Sequence, residues 1–133
     1  ITGLYTVLVD GDDLTEPVTD TARGILDGHI VLSRSLANRN QYPAIDVLAS
    51  VSRVMPEIVT DEHKKIAAEI KKVMAVYTDA EDLINIGAYV KGSNEKIDYA
   101  IDVIDDVIGF IEQEVNEKFE YDEVIKRLKS ILK

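Results

Sequence analysis

Residues 94–116 read NEKIDYAIDVIDDVIGFIEQEVN, a stretch in which apolar residues recur every three or four positions. This spacing matches one face of an α-helix, so it predicts a long helix with a single apolar stripe. Most of the intervening positions are polar or acidic, and we expect the stripe to face a helical core rather than lipid or a partner. The predicted stripe consists of Ile97, Ile101, Ile104, Ile108, Ile111 and Val115.

Further helices are predicted on both sides of this stretch. One begins near Thr60, a residue suited to the N-cap position. Thr78 and Glu81 have the spacing of a capping box, which predicts that another helix opens there. Asp122 is expected to cap a last helix, and residues 56–133 together predict a small helical bundle. The predicted inner face of the helix after Thr60 is Ile66, Ile70, Val73, Met74 and Tyr77.

The first part of the chain has a different pattern. Residues 4–9 are mostly β-branched, aliphatic or aromatic and stop at an acidic turn, which predicts a buried strand. A helix is expected to start near Pro17 and to end at Gly28. A second short strand is predicted over residues 29–32, whereas residues 45–54 are mixed in character and expected to be partly irregular.

The predicted fold class is therefore α+β to α/β in two parts. Residues 1–55 indicate a β-α-β unit at the edge of an α/β domain, and residues 56–133 indicate the helical bundle. Pro56 marks the predicted boundary between them.

Composition and charge exclude several classes of function. The chain has 133 residues, a net charge of −10 and no cysteine, which rules out disulfides and thiolate metal sites. Binding to nucleic acid or anionic lipid needs a basic surface, so the acidic charge disfavours both. No apolar run is long enough to cross a bilayer and no secretion signal is evident, so we expect a cytoplasmic location.

The cations are distributed unevenly. All four cations of residues 1–55 are arginines, whereas ten of the eleven in residues 56–133 are lysines. Arginine carries a planar fork that fits phosphate or carboxylate, while lysine suits a solvated helix surface. Binding chemistry is therefore expected in the first part.

Two residues of that part are candidates for binding a nucleotide. Tyr42, before Pro43, could stack on a base, although a turn tyrosine packed on a local core is the commoner role of such a residue. Arg53 could contact a phosphate or could simply form a surface pair with Asp46. No G-x-x-x-x-G-K-[ST] loop is present to hold phosphates, and Lys91 lies in a sequence that only superficially resembles the end of one.

The acidic turn at residues 10–16 does not have the ligand spacing of a calcium loop. It is interpreted either as a solvated turn or as a docking surface for a basic partner. His29 and His63 lack the spacing of metal ligands, so no metal site is predicted in this chain.

Three runs resemble the export ATPases of the bacterial flagellum and of type III secretion. They read LYTVLVDGDDLTEP (4–17), RGILDGHIVLSR (23–34) and YPAIDVLASVSRVM (42–55), and a looser likeness extends over DLINIGAYVKGS (82–93). The flagellar member is the first choice and the secretion-system member the second. The family is related to the catalytic subunits of rotary ATP synthases, so the resemblance implies that residues 1–55 are the last part of a RecA-like domain.

The resemblance also implies roles for particular residues. Members form a ring of six around a coiled-coil stalk, with ATP and Mg²⁺ bound between subunits. Tyr42 would pack on adenine in its own subunit, Tyr89 would close the other side of that pocket, and Arg53 would reach the neighbouring subunit's terminal phosphate as an arginine finger. The loop facing the central stalk would comprise Asp12, Asp13, Thr15 and Glu16.

The helical part would then meet the stalk, a peripheral-stalk regulator, export chaperones and cargo, with nucleic acid playing no part. The membrane would be involved only indirectly, through the export apparatus at the inner membrane. Because the family's phosphate loop, its Mg²⁺ ligands and its catalytic glutamate are expected upstream of Ile1, the 133 residues by themselves are expected to hydrolyse nothing.

Two other readings of the sequence stay open. The chain could be a noncatalytic interaction module that binds the stalk or an export chaperone, with an acidic surface that suits basic partners. It could also belong to a subunit of the rotary ATP synthase type.

Overall fold

The computed structural model describes residues 1–132, which form six α-helices and two strands after one 3-10 turn at Asp10–Asp12. The order is α1 (Pro17–Ile25), β1 (Gly28–Leu32), α2 (Arg34–Asn38), β2 (Ile45–Ser52), α3 (Met55–Ile58), α4 (Asp61–Asn85), α5 (Glu95–Ile111) and α6 (Tyr121–Ile131).

The core lies entirely in the helical half, where α4 and α5 pack side by side and α6 closes the cluster. The predicted inner face of α4 is confirmed, because Ile66, Met74 and Tyr77 pack against the buried side chains. The predicted stripe of α5 is largely wrong, since Ile104 is its only buried member and Ile111 its only member packed against the cluster. The face of α5 that enters the cluster lies one position to the side of the isoleucine stripe. Thr60 and Asn94 cap α4 and α5 by accepting hydrogen bonds from backbone N–H groups of the first turn. The buried core cluster consists of Ile70, Val73, Ala100, Val103, Val107, Leu128 and Ile131.

The predicted helix start at Thr78 is wrong, because α4 runs unbroken from Asp61 to Asn85. A capping box requires a non-helical residue at its first position, but no glycine or proline interrupts the chain here. Ala80, two residues after Thr78, is 3% exposed, and Tyr77 packs on the core cluster. Burial along this face stabilises the helix through the position where the local pattern predicts a break.

The long helix ends earlier than its stripe predicts. α5 stops at Ile111 and Glu112 is extended, so Val115 lies outside the helix with its side chain exposed instead of buried. The backbone N–H of Gln113 bonds to the carbonyl of Tyr42, outside the helix, at 3.0 Å. After this turn α6 begins at Tyr121, one residue before the expected cap Asp122.

The two strands pair antiparallel and form the only sheet of residues 1–132. The residue partners are Gly28 with Ser52 and His29 with Val51 at one end, and Val31 with Asp46 and Leu32 with Ile45 at the other. Between them Ile30 faces four residues of β2, a large bulge that corresponds to the irregularity predicted for this segment. Gly28, expected to follow the end of α1, opens β1 instead, where a Cβ would lie 2.7 Å from the carbonyl oxygen of Val51.

The predicted strand over residues 4–9 is not formed, so the β-α-β unit is not completed within residues 1–132. A strand is stabilised by hydrogen bonds to a neighbour, and this segment pairs with no other part of the described chain. Most of its apolar side chains are exposed, with Leu4, Tyr5 and Leu8 between 80% and 96% accessible.

A few polar contacts join the strand pair to the helical half. Arg39 pairs with Glu81 of α4 at 2.7 Å, and the Nζ of Lys71 lies 3.5 Å from the carbonyl oxygen of Ser50. The bond between Gln113 and Tyr42 adds a third connection, at the far end of α5.

Within residues 1–132, none of the helices combines the length and the apolar character needed to cross a membrane.

Candidate nucleotide-facing surface

Tyr42 lies in the turn between α2 and β2, where it precedes Pro43 through a cis peptide bond. Its side chain is exposed, and its carbonyl oxygen accepts the hydrogen bond from Gln113. The ring is therefore available to a planar ligand and lies beside the turn that follows α5. A local core does not cover it, so the commoner role of a turn tyrosine does not apply.

Arg53 lies just beyond the other end of β2. Its backbone N–H donates to the carbonyl of Asp27 at 2.8 Å, and its Nη2 donates to the carbonyl of Arg23 at 3.3 Å. The side chain is exposed, and among residues 1–132 it forms no ion pair. Asp46, the partner considered from sequence, instead accepts the backbone N–H of Ala49 at 2.9 Å.

Tyr42 and Arg53 lie at opposite ends of the strand pair. The paired positions nearest to them, Ile45 and Ser52, face residues of β1 that are four steps apart. Four steps along a strand cover about 13 Å. The two side chains therefore lie at separate places on the surface.

Tyr89 is far from Tyr42. Its hydroxyl lies 2.8 Å from Oδ1 of Asp98 and 3.0 Å from the carbonyl oxygen of Asn94, both at the start of α5. Gln113, which contacts Tyr42, follows the end of that 17-residue helix. A helix of this length spans about 25 Å. The geometry therefore contradicts the expectation that Tyr89 closes the pocket of Tyr42; Tyr89 instead braces the loop between α4 and α5.

The neighbour of Tyr42 that sequence reasoning missed is the turn after α5. Here the backbone N–H of Glu114 donates to Oε2 of Glu117 at 3.1 Å, and Val115 is 96% exposed. The sequence offers no indication of this, since Val115 continues the apolar spacing of α5. Only the end of the helix at Ile111 brings Val115 to the surface near Tyr42.

The acidic turn is held by local hydrogen bonds. Oδ1 of Asp13 accepts from the hydroxyl of Thr15 at 2.6 Å and from its backbone N–H at 2.9 Å. These bonds, the side-chain one first, lower the pKa of Asp13. Asp12 pairs with Arg34 at 3.3 Å, and Glu16 occupies the N-cap position of α1. The turn is thus an ordered, solvent-facing acidic loop.

The part of the chain that the structure describes contains no group of three or more potential metal-ligating side chains. Nε2 of His29 lies 3.2 Å from the carbonyl oxygen of Ala49, and Nδ1 of His63 lies 3.2 Å from the hydroxyl of Tyr121.

The fold and this surface define a class: an edge of an α/β nucleotide-binding domain joined to a C-terminal helical bundle. A profile of the T3SS EscN ATPase C-terminal domain matches residues 59–130, and one of the ATP synthase alpha/beta family nucleotide-binding domain matches residues 1–52. The chain belongs to the type III secretion ATPase family, which confirms the resemblance and the predicted fold class.

Named relatives agree with this assignment. The flagellum-specific ATP synthase of Bacillus subtilis (strain 168) is 51% identical over 131 residues, 98% of this chain and 30% of that protein. The SPI-2 type 3 secretion system ATPase of Salmonella typhimurium (strain LT2) is 48% identical over 132 residues, 99% of this chain and 30% of that protein. The chain thus spans about 30% of the length of these relatives.

Solved structures show the same arrangement. The assembled ATPase EscN of the enteropathogenic E. coli type III secretion system matches with a TM-score of 0.91 and 44% identity, over 96% of this chain and 31% of that chain. EscN in complex with its central stalk EscO matches with a TM-score of 0.81 and 44% identity, over 86% of this chain and 28% of that chain.

Proposed function

We propose that the chain works as the C-terminal part of a protein-export ATPase that hydrolyses ATP as a homohexamer to support secretion. Membership of the family and the names of the relatives support this reading, as does the likeness to an assembled EscN. Flagellar export is the first choice and export by a secretion system the second; the Bacillus subtilis flagellar relative is 51% identical and the SPI-2 relative 48%. In this reading the chain divides near Pro56, between the last part of a RecA-like domain and the helical domain.

Tyr42 is proposed to stack on the adenine of ATP. Its ring is exposed and its backbone is fixed by the hydrogen bond from Gln113, so the ring is presented without further ordering. Stacking on an aromatic side chain is worth about 1–3 kcal/mol per base. We propose Val115 as the second wall in place of Tyr89, because it is exposed only two residues from Gln113.

Arg53 is proposed to act in the neighbouring subunit's site. The observation that carries this proposal is an exposed arginine whose contacts in residues 1–132 are carbonyl oxygens, with no carboxylate paired to it. A guanidinium in this state is free to bind the terminal phosphate and to stabilise the charge that develops during phosphoryl transfer. An arginine supplied across an interface can be worth about 10³–10⁵ in turnover.

Mg²⁺ would neutralise phosphate charge when bound with ATP. Its ligands are proposed to lie outside residues 1–132, because the described residues contain no cluster that fits it.

The test is Arg53→Ala in the full-length protein. Turnover is expected to fall at least 10³-fold while ATP affinity stays within about threefold, because Arg53 contacts the phosphate mainly in the transition state. Arg53→Lys is expected to fail as well, since a point charge does not reproduce the planar fork. Arg34→Ala, an exposed arginine of the same half, is the matched control and should retain turnover. Equal losses of ATP affinity and turnover in Arg53→Ala would count against the finger role.

The partners are also proposals. The loop of Asp12, Asp13, Thr15 and Glu16 would face a coiled-coil central stalk, a role supported by its exposed acidic surface and by the EscN complex with its central stalk. The helical half would also meet a peripheral-stalk regulator, export chaperones and cargo. The whole protein would be cytoplasmic and peripheral at the inner-membrane export apparatus.

A second candidate is a noncatalytic interaction module. It is favoured by one observation: the helical half closes a core of its own and could present its surface independently. Titrating the 133-residue chain with stalk protein and with ATP separates the two readings. Tight binding of the stalk by a chain whose full-length parent shows no turnover would support the module.

A further inference from the structure

Arg23, in the last turn of α1, contacts two places that the proposed function treats separately. Its Nη1 donates to the carbonyl of Leu14, in the acidic loop, at 3.4 Å. Its own carbonyl accepts the hydrogen bond from Nη2 of Arg53 at 3.3 Å. One residue therefore touches both the proposed stalk-facing loop and the proposed arginine finger.

The contact with Arg53 is chemically suited to holding a cation. The last carbonyls of a helix lack intrahelical partners and carry the negative end of the helix dipole. Arg53 is also fixed through its backbone N–H, which donates to Asp27 just beyond the same helix end. The segment from Arg23 to Asp27 thus sets the position of both the main chain and the guanidinium of Arg53.

The contact with the loop fixes the other end of α1. Leu14 lies between Asp13 and Thr15, whose side chains bond to each other, and the N–H of Glu16 donates to the carbonyl of Asp13 at 3.2 Å. The side chain of Arg23 reaches back along α1 to this ordered turn. The loop is therefore joined to α1 at two points, the start of the helix and the side chain of Arg23.

The Nε of Arg23 is buried and has no hydrogen-bond partner within residues 1–132. A buried, unpaired donor costs about 1–3 kcal/mol, so the site does not optimise the hydrogen bonding of this guanidinium. The Arg23 side chain as a whole is only partly buried, and the donation to Leu14 is the one hydrogen bond it makes within residues 1–132.

We propose that Arg23 is a positioning residue that fixes the guanidinium of Arg53 relative to the acidic loop. The proposal rests on the finger role of Arg53 given above. It predicts that binding of a basic partner to the loop changes the position of Arg53 through α1. The partner itself would not contact the nucleotide.

The experiment measures steady-state ATP turnover of the full-length protein carrying Arg23→Met, which keeps the apolar part of the side chain and removes every donor. We expect kcat to fall about tenfold while KM for ATP stays within twofold, because misplacement of Arg53 affects the transition state and not ground-state binding. Arg23→Lys, which retains one donor, is expected to lower kcat by twofold to threefold. Arg39→Met removes another exposed arginine of the same half, which pairs with Glu81 and contacts neither the loop nor Arg53, and it should leave kcat unchanged.

Hexamer content and melting temperature are measured for each variant, because a purely structural role would lower these together with ATP affinity. Wild-type kcat in Arg23→Met would overturn the proposal, as would a fall in kcat and melting temperature accompanied by a rise in KM for ATP. If Arg23→Met does not assemble, Arg23→Lys decides, and wild-type kcat in that variant overturns the proposal. Failure of the finger role itself is recognised separately, by full turnover in Arg53→Ala.

Discussion

The strand-containing half and the helical half both contain many aliphatic side chains, but the two halves differ in whether these side chains are buried or exposed. Every buried apolar side chain of residues 1–132 lies between Ile70 and Ile131, whereas Thr19 is the one buried residue of the first 55. In the helical half, stripes on α4, α5 and α6 face one another and exclude water. In the first half, Val18, Ile25 and Ile30 remain largely exposed.

The difference indicates where stability and binding reside. A two-stranded sheet has too little apolar surface to be stable by itself, so the first half depends on local hydrogen bonds and on its contacts with α4 and α5. Its candidate residues, Tyr42 and Arg53, are correspondingly at the surface and fixed through backbone groups. We infer that the helical half supplies most of the folding free energy and that the first half supplies the contacts to ligand and neighbour.

The largest expected effect is a truncation in the helical core. Ile70→Ala removes a side chain that is 6% exposed and should lower the free energy of unfolding by about 2–5 kcal/mol, through lost burial and a residual cavity. The same truncation at Ile30, which is 72% exposed, should cost less than about 0.5 kcal/mol. Urea unfolding of the 133-residue chain followed by circular dichroism measures both. Similar losses of unfolding free energy at the two positions would contradict the inference that the helical half supplies most of the folding free energy.

An intermediate effect is expected at the helix caps. Oδ1 of Asn94 accepts from the backbone N–H groups of Lys96 and Ile97, at 3.0 and 3.4 Å. Asn94→Ala should therefore cost about 1 kcal/mol. Ser33 precedes α2 without any side-chain cap bond, and Ser33→Ala should change stability by no more than a few tenths of a kcal/mol. Unfolding midpoints of the two variants test this contrast; a larger loss at Ser33 would contradict it.

The smallest effect concerns the acidic loop, where local bonds rather than a core fix the structure. The pKa of Asp13 lies below its ordinary value of 3.8, so the turn's stabilisation is complete above that value and is lost as pH falls through the lower, folded pKa. Thr15→Val removes the larger cause, the side-chain hydrogen bond, and should raise the pKa of Asp13 back toward its ordinary value. A carboxyl carbon NMR titration measures the shift. An unchanged pKa would show that the turn is not ordered in solution.

Several elements were predictable because their pattern is local. The start of α1 at Pro17, the strand β1, the cap Thr60, the start of the long helix near Asn94 and the core face of α4 follow from residue type and spacing. The break predicted at Thr78 failed because a capping box can occur inside a helix. Burial of Ala80 in the helical half overrides the local pattern there. The predicted strand over residues 4–9 failed for the complementary reason, since no neighbouring strand pairs with it within residues 1–132.

In the candidate site, too, some features could be predicted from the sequence and others could not. Tyr42 and Arg53 could be selected from sequence, because an aromatic residue before proline and an arginine among few cations are recognisable as residue types, and the family resemblance supplied their proposed roles. The sequence could not test whether Tyr42 and Tyr89 are neighbours, since their spacing does not show that they lie near opposite ends of α5. Nor could the sequence show that Arg23 touches both Leu14 and Arg53.

Residue type and periodicity by themselves determined the acidic and cysteine-free character, most helices and the choice of Tyr42 and Arg53 as candidates for meeting a nucleotide. The resemblance of three runs to the export ATPases indicated the family. Only the tertiary structure decided which residues are neighbours: the turn after α5 beside Tyr42, and Arg23 between the acidic loop and Arg53. It also showed that, within residues 1–132, the buried core cluster lies in the helical half. The physical reason is that hydrogen-bonding capacity and hydrophobic period are properties of short segments. Contacts between segments distant in sequence depend on where helices end and on which surfaces exclude water together.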